Sequence, residues 1–383
     1  KVTTADSVVA IDLGDSCYGG VHVETDGILA EMMAAAGFKQ IDHVVLRERQ
    51  SRDGRQLSQT LQVFQPKTAR ARRSGPGQDR REAAWRRFRD ELPHQRGEMA
   101  KRNWGHPWHS LCSYQGKLKP SIASTLVEAL LPADRRGRFL DPFSGVGTLP
   151  FEARLHGHIA YGFDISPAAA VISAAKLGDP CRVQAANLMA RLSRWVSTRR
   201  DKQVDTGALD EIRFNGPLKD YFNPITLAEI VAARRFFLDH PPQTSTEALV
   251  MASLLHILHG NRPYALSRRS HPITPFAPSG PAEYRPLIER LQAKLTRALD
   301  GAPKAGAPAG HLFVQDATGT WPDDVSDLDA IITSPPFFDS TRFYLANWMR
   351  LWFAGWNADD FVRRPSEFVD ERQKRSLAVY DVI

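Results

Sequence analysis

The sequence predicts an α/β fold: an open, mostly parallel sheet with a ligand cleft at one edge, interrupted by a long, mostly helical segment. Three observations lead there. Short apolar runs that close on an acidic residue or a proline corner recur at residues 139–141, 159–164, 311–316 and 328–336. A glycine-rich turn, Ser144-Gly145-Val146-Gly147, stands between the first of these runs and a helical pattern. Beyond residue 181 the strand pattern stops, and helical periodicity takes over until about residue 310.

The bulk properties narrow the class. A chain of 383 residues suggests about two to three domains and is long enough for a full core. Apolar content of 42% and charged content of 24% exclude a disordered or fibrous chain. The net charge of +7 favours a polyanionic partner without specifying one. Cys17, Cys112 and Cys181 are far apart and include no CxxC pair, so neither a disulfide framework nor a zinc site is expected. A reducing cytoplasm is the simplest location. No apolar run nears the ~18 residues of a membrane span, and nothing before the first strand reads as a signal peptide.

Taken in order, residues 7–13 read as a buried strand, followed by a glycine-rich turn at 14–20. Residues 27–36 read as a helix that Gly37 ends. Two β-like runs, 41–49 and 57–64, flank a polar hairpin turn at 51–54. From Arg70 to Arg102 there are eleven Lys/Arg against five Asp/Glu. Residues 79–91 within this stretch read as a charged helix with Trp85 and Phe88 on one side. Two uses stand open for it: a solvated connector with its aromatics packed on the body, or an arm that contacts phosphates.

Residues 113–120 lead into a helix at 121–131. A strand at 139–141 then opens, through the glycine turn, into a helix reaching 155. Gly145 and Gly147 let the backbone approach a ligand without a Cβ in the way. No third glycine arrives at dinucleotide spacing. Asp164, at the end of the next strand, can accept hydrogen bonds from both hydroxyls of a ribose; capping the helix that starts at Pro167 is its structural alternative.

Helical patterns follow at 185–198, 226–240, 246–259 and 282–299. Residues 261–271 are basic and aromatic. Arg262, Tyr264, Ser267, Arg268, Arg269 and His271 are its candidates for contacts to phosphates and base edges. For any one of them, a surface loop with a few salt bridges is the plain alternative. Residues 301–310 form a flexible exit linker, after which strands resume at 311–315, with Asp316 at the end, and at 328–332. Ser334-Pro335-Pro336-Phe337 comes next. Two prolines cannot continue a strand, so they make a stiff corner at its carboxyl end, where open α/β sheets hold their ligands. A hydroxyl, a carbonyl and a ring held in fixed relation are suited to gripping the amino group of a flat, extruded base. The aromatic run 344–356 reads as core.

Ile332-Thr333-Ser334-Pro335-Pro336-Phe337 resembles the catalytic motif of the amino-methylating DNA methyltransferases, in the Ser-Pro-Pro form of the cytosine-N4 branch. Asp141-Pro142-Phe143-Ser144-Gly145-Val146-Gly147-Thr148 resembles the same family's S-adenosylmethionine loop. Residues 113–120 resemble the motif that closes over the methionine end of that cofactor.

The resemblance implies a Rossmann-like class I methyltransferase sheet with a mostly helical target-recognition insert. It implies S-adenosylmethionine as cofactor, held by Ser113, Lys117, Asp141, Pro142, Phe143, Ser144, Gly145, Gly147, Thr148, Asp164, Ile165 and Asp316, with Asp164 at the ribose and Asp316 at the adenine amino group. Ser334, Pro335, Pro336 and Phe337 become the catalytic residues. No metal is needed, because the leaving group is neutral. The implied layout is 1–66 as the C-terminal half of the sheet, 67–110 as a basic arm, 111–180 as the cofactor-binding half, 181–310 as the insert and 311–383 as the catalytic part. That is a circularly permuted order; an unrelated β-rich N-terminal module is the alternative.

The implied activity is site-specific methylation of cytosine N4 in double-stranded DNA, with the base flipped out. The Ser334 hydroxyl oxygen and the Pro335 carbonyl would accept the two amino hydrogens and localise the nitrogen lone pair. Phe337 would stack on the base, and transfer would be a direct displacement driven by orientation and electrostatics. A restriction endonuclease partner fits this reading. Rival readings are an adenine-N6 DNA methyltransferase, which usually has Asp or Asn in place of Ser334, an RNA base methyltransferase, and an inactive nucleic-acid-binding module.

Overall fold

The computed structural model describes residues 2–18, 21–50, 54–69, 76–101, 103–199, 209, 211–213, 216–271, 274–336 and 343–372. Its strands are β1 (Thr3–Gly14), β2 (Ser16–Tyr18), β3 (Val21–Val23), β4 (Phe38–Gln50), β5 (Gln56–Pro66), β6 (Arg138–Asp141), β7 (Ile159–Phe163), β8 (His311–Phe313) and β9 (Leu328–Thr333). Among the described residues seven of them form one sheet, in the order β4-β5-β1-β9-β6-β7-β8. Only β5 runs against the others. This is a Rossmann-like α/β architecture, as expected.

The strand β9 sits at the middle. It pairs in parallel with β1 on one side, Ile11 opposite Thr333, and with β6 on the other, Leu140 opposite Ile331. The N-terminal strands are therefore part of this sheet: β1 lies beside β9, and the antiparallel β4–β5 pair extends it to the edge. Where a simple turn was expected at 14–20, β2 and β3 pair as a short hairpin, Ser16 opposite Val23. Cys, Tyr and Val suit such a pleated ribbon better than an open loop.

The helices are α1 (Thr25–Ala35), α2 (Pro76–Glu91), α3 (Pro120–Leu130), α4 (Thr148–Leu155), α5 (Pro167–Lys176), α6 (Arg182–Ser197), α7 (Pro224–Asp239), α8 (Ser245–Ile257), α9 (Leu287–Asp300), α10 (Phe343–Phe353), α11 (Ala358–Arg363) and α12 (Val369–Arg372). Alternation along the strands divides the core, since successive side chains point to opposite faces. Ala10, Val63 and Ile332 meet α2 and α3 on one face. Val9, Phe64 and Ile331 face the other side, where Leu29 and Met33 of α1 join them.

Helix α2 is anchored rather than loose. Phe88 is fully buried in the first of these clusters, and the Trp85 indole donates to Asp42 Oδ2 at 2.7 Å. Its arginines face outward, Arg87 paired with Glu128 and Arg89 with Asp42 and Asp90. For Trp85 and Phe88 the packing alternative therefore describes the molecule.

The helices of the 181–310 segment do not build a core of their own. Residues of α6 to α9 share one apolar cluster with Trp108, with Phe151 of α4, and with Trp348 and Trp352 of α10. Helix α8 is buried on every side, which fits its uniformly apolar sequence. Its start is a capping box, Thr244 with Glu247. The aromatic run of α10 is core, as its helical spacing suggested. One boundary differs from expectation: the pattern at 282–299 becomes a helix only from Leu287. Arg285 precedes Pro286, and a residue before proline is pushed out of the helical region. The approach is pinned instead by Glu229, which accepts from Tyr284 Oη and from the Leu287 N–H, each at 2.8 Å. Among the described residues no helix is long and apolar enough to cross a membrane.

Phe88 joins α2 to the sheet and to α3. Phe88→Ala is expected to cost about 3–5 kcal/mol, as for other aromatic truncations in a closed core. Urea denaturation of wild type and variant measures it; a loss below about 1 kcal/mol would show that α2 is peripheral.

Candidate active site

The strands β6, β7, β8, β9 and β1 are mutually parallel, so their carboxyl ends share one edge of the sheet. Successive strands β6 to β8 step outward in one direction, whereas β9 lies on the other side of β6. The crevice opens at this reversal, the usual ligand position in an open α/β sheet. It is lined by Lys117, Asp141, Pro142, Phe143, Ser144, Gly145, Thr148, Asp164, Ile165, Asp316, Ser334, Pro335 and Pro336, together with Tyr114, Gln315, Phe343 and Arg372. Fragments as far apart in the chain as Tyr114 and Arg372 thus meet in one cleft. Phe337 lies outside the described residues.

The glycine turn is shaped by two different needs. Gly145 has φ of +51°, and no atom lies within 4 Å of the position a Cβ would take. It therefore keeps the cleft wall open while adopting a left-handed conformation. Gly147, with φ of +68°, faces away from the cleft; a Cβ there would meet Ser173 Oγ at 2.3 Å. It serves the close packing of α4 on α5. Lys176 reaches back from α5 and donates to the Val146 carbonyl at 2.6 Å, which fixes the turn from beneath. Burial, with Lys117 nearby, pushes the Lys176 ammonium down to about 7.

Three carboxyl groups stand at the strand ends with raised pKa values, Asp12 and Asp141 buried and Asp164 half-buried at the cleft wall. Asp141 Oδ1 accepts from the Phe143 N–H at 3.1 Å and from Thr333 Oγ1 at 2.7 Å, so the glycine turn and β9 are tied together. Burial pushes its carboxyl up to about 7, against the lowering effect of those bonds. Asp164 accepts the Ser166 N–H at 2.7 Å and also bonds the Gly145 backbone; burial still raises it to about 6. Asp164 is not the cap of α5, because Ser166 holds that position and accepts from the Ala169 N–H. Asp316 is more open. It accepts from the Thr318 N–H and hydroxyl through Oδ1, and from Arg372 Nη2 at 2.9 Å through Oδ2.

The third of these carboxyl groups, the buried Asp12, is absent from the sequence-based candidates. The parallel register sets β1 alongside β9, so Asp12 comes beside Ser334, and their side chains are hydrogen-bonded. Gln59 of β5 clamps the same carboxyl, donating at 2.8 and 3.0 Å to its two oxygens. Burial lifts Asp12 to about 7, while the Gln59 and Ser334 bonds pull it down. Its local signal was present, an aspartate near the end of an apolar strand, like those at 141, 164 and 316. Arg372 had no such signal.

Other candidates lie elsewhere. Ser113 does not line the cleft; its N–H donates to His256 Nδ1 at 3.3 Å. The Lys117 ammonium is bonded to the His109 carbonyl at the cleft wall. Arg262 and Tyr264 gather around His256. Ser267, read as a nucleic-acid contact, is buried, and its carbonyl accepts from Arg285. The Arg268 guanidinium holds the Gly280 and Asp220 carbonyls at 2.8 and 3.0 Å. The arginine is spent on the chain's own backbone, whose irregular course here needs side-chain partners. Arg269 and His271 line a second hollow. Among the described residues no group of three or more His, Cys, Asp or Glu is placed to hold a metal ion.

Residues 107–213 match the family model described as UPF0020: RMKL-like, methyltransferase domain. No curated protein and no solved structure matches the chain. The matched stretch contains β6, the glycine turn, β7 and α5. A methyltransferase domain is therefore present, and a domain of this kind implies a methyl donor of the S-adenosylmethionine type.

Asp12 generates a test of the site's electrostatics. Its folded-state value near 7 stands above the ordinary 3.8. Between these values the folded protein keeps a proton that the unfolded chain has released. The ionisation penalty is thus absent below about pH 4, grows as pH rises, and is complete above about pH 7. Asp12→Asn should be more stable than wild type at pH 8 by roughly 2–4 kcal/mol, with the gap closing towards pH 4. Urea denaturation across this range checks it; a gap independent of pH would refute the assignment.

Proposed function

We propose that this chain transfers a methyl group from S-adenosylmethionine to the N4 amino group of cytosine in double-stranded DNA, with the target base turned out of the helix. The observation that carries this reading is the Ser334-Pro335 corner at the end of β9, in the same cleft as the glycine turn and Asp164. The net charge of +7 supports a polyanionic substrate.

The residues present fit the donor. Gly145 leaves open the wall against which the methionine part would lie. Asp164 is a half-buried carboxyl at the end of β7, suited to two ribose hydroxyls, and Asp316 stands one strand further out for the adenine amino group. Bound there, S-adenosylmethionine supplies an electrophilic methyl group on a positively charged sulfur.

The chain's own residues prepare the nucleophile. An aromatic amine is weakly nucleophilic because its lone pair is delocalised into the ring. Acceptance of its two hydrogens by Ser334 Oγ and the Pro335 carbonyl favours a pyramidal nitrogen with a localised lone pair. Asp12 acts as a positioning residue. When ionised it can only accept, so the Ser334 hydroxyl points its hydrogen at Asp12 and turns an oxygen lone pair towards the base. Gln59 holds Asp12 in place for this.

We read the chain as circularly permuted. Support comes from the strand order: β1, β5 and β4, from the N-terminus, continue the sheet beyond β9, with β5 the antiparallel member.

Two outcomes are expected. Asp164→Ala weakens S-adenosylmethionine binding by roughly 1.5–3 kcal/mol, the worth of hydrogen bonds to a charged group; unchanged affinity by calorimetry removes Asp164 from the cofactor site. Incubation with mixed-sequence DNA, followed by nucleoside mass spectrometry, yields N4-methylcytosine. Ser334→Ala lowers turnover by about ten- to a thousandfold with cofactor affinity retained. N6-methyladenine, or a product found only in RNA, would sink the cytosine-N4 reading.

A further inference from the structure

A group of cations stands beside the cleft without being part of it. Lys294 and Arg297 lie one turn apart on α9, and Arg262 and Tyr264 follow α8. Arg262 Nη1 donates to Tyr264 Oη at 2.6 Å and lies 3.3 Å from His256 Nε2. The Tyr264 hydroxyl is itself 2.9 Å from that nitrogen. The Arg297 guanidinium sits 5.0 Å from the centre of the Tyr264 ring and that of Arg262 5.9 Å from it. Two arginines therefore converge on one tyrosine, with a lysine next to them.

These charges are not neutralised from within. Among the described residues, none of Arg262, Lys294 and Arg297 forms an ion pair with a carboxylate. Burial pushes the Lys294 ammonium down to about 8, and Arg297 and Arg262 push the same way against the opposing influence of Cys112. His256 is driven well below its ordinary value, first by burial and then by Lys294, Arg262, Arg350 and Arg297. Every charge that acts on His256 is positive. Such a set costs stability in the absence of an anion and recovers it when one binds. A scattered solvated surface would not hold Lys294 half-buried against two arginines.

Position names the anion. His256 Nδ1 accepts the Ser113 N–H at 3.3 Å, and the next residue, Tyr114, lines the cleft. None of Arg262, Lys294 and Arg297 lines it. An anion bound among them sits outside the cofactor's place and is joined to the cleft wall through His256, Ser113 and Tyr114. Arginine forks match phosphate oxygens in pairs, and phosphate contacts set the register of a strand without reading its sequence.

We propose that Arg262, Lys294 and Arg297, gathered around Tyr264, bind a backbone phosphate of the nucleic-acid strand whose base enters the cleft. The proposal rests on the nucleic-acid reading above and assigns the contact that anchors the strand. The Tyr264 hydroxyl, which accepts from the Nε2–H of neutral His256 and from Arg262 Nη1, holds the Arg262 fork in its orientation.

The test uses the full chain. A fluorescent DNA duplex, and an RNA of equal length, are titrated by anisotropy across a salt series with wild type, Arg262→Gln and the double variant Lys294→Gln/Arg297→Gln. The expected result is about tenfold weaker binding at 0.1 M salt for the double variant, and a salt slope shallower by about one. Calorimetric affinity for S-adenosylmethionine should stay within about twofold of wild type, as expected if these cations hold the strand and not the cofactor. In a second measurement, on wild type alone, amine-reactive labelling of Lys294 is followed by mass spectrometry with and without the duplex. The duplex should reduce labelling at least fivefold. Wild-type slope and affinity in both variants, or equal labelling with and without nucleic acid, overturns the proposal. A response confined to RNA upholds the phosphate site and overturns DNA as its source, independently of which modified nucleoside the enzyme makes. Loss of cofactor binding in parallel with loss of DNA binding would also overturn it, since the cluster would then serve the cofactor.

Discussion

The structure depends on β9 having a parallel neighbour on each side. One, β6, follows the basic arm; the other, β1, begins the chain. Parallel neighbours bring their carboxyl ends to the same edge, so this single pairing sets Asp12, Ser334 and Asp141 side by side. The Thr333 hydroxyl then joins Asp141 from β9, so that the glycine turn and the Ser-Pro-Pro corner move as one unit. Without β1 the central strand would have an open edge, and Ser334 would lose the carboxyl that orients it.

Around this unit the electrostatics are divided. The cleft floor holds carboxyl groups that burial keeps partly protonated near neutral pH, at 12, 141 and 164. Each has hydrogen-bond donors from the backbone or from a neighbouring strand, so each can accept a negative charge when a ligand supplies further donors. The opposite sign gathers outside, on α9 and behind α8, where Arg262, Lys294 and Arg297 have no carboxylate partner among the described residues. A ligand with hydroxyl and amino groups suits the floor; a ligand with phosphates suits the rim. The shared apolar cluster from α5 to α10 holds rim and floor in fixed relation, because a close-packed interior transmits position rather than absorbing it.

The same residue types serve two ends in this protein, and environment decides which. Arg268 and Arg262 lie six positions apart in one basic loop. Arg268 is turned onto the chain itself and satisfies two backbone carbonyls. Arg262 donates instead to a side chain, the Tyr264 hydroxyl, beside Lys294 and Arg297. Gly145 and Gly147 divide similarly, one open to the cleft and one pressed on Ser173.

By itself the sequence determined the α/β class, the strands that end in Asp141, Asp164 and Asp316, the glycine turn, the proline corner and the core character of the 344–356 run. These are local patterns: side-chain periodicity and turn chemistry act over a few residues, so they can be read without the fold. Only the tertiary structure decided the rest. It put Asp12 against Ser334, brought Arg372 to Asp316, buried Ser267, and merged the 181–310 helices with the body of the protein. It also set Lys294 and Arg297 around Tyr264. Each of these depends on pairing between segments far apart in the chain. A basic or acidic residue looks the same in sequence whether its partner is water, a backbone carbonyl or a charge carried in from two hundred residues away.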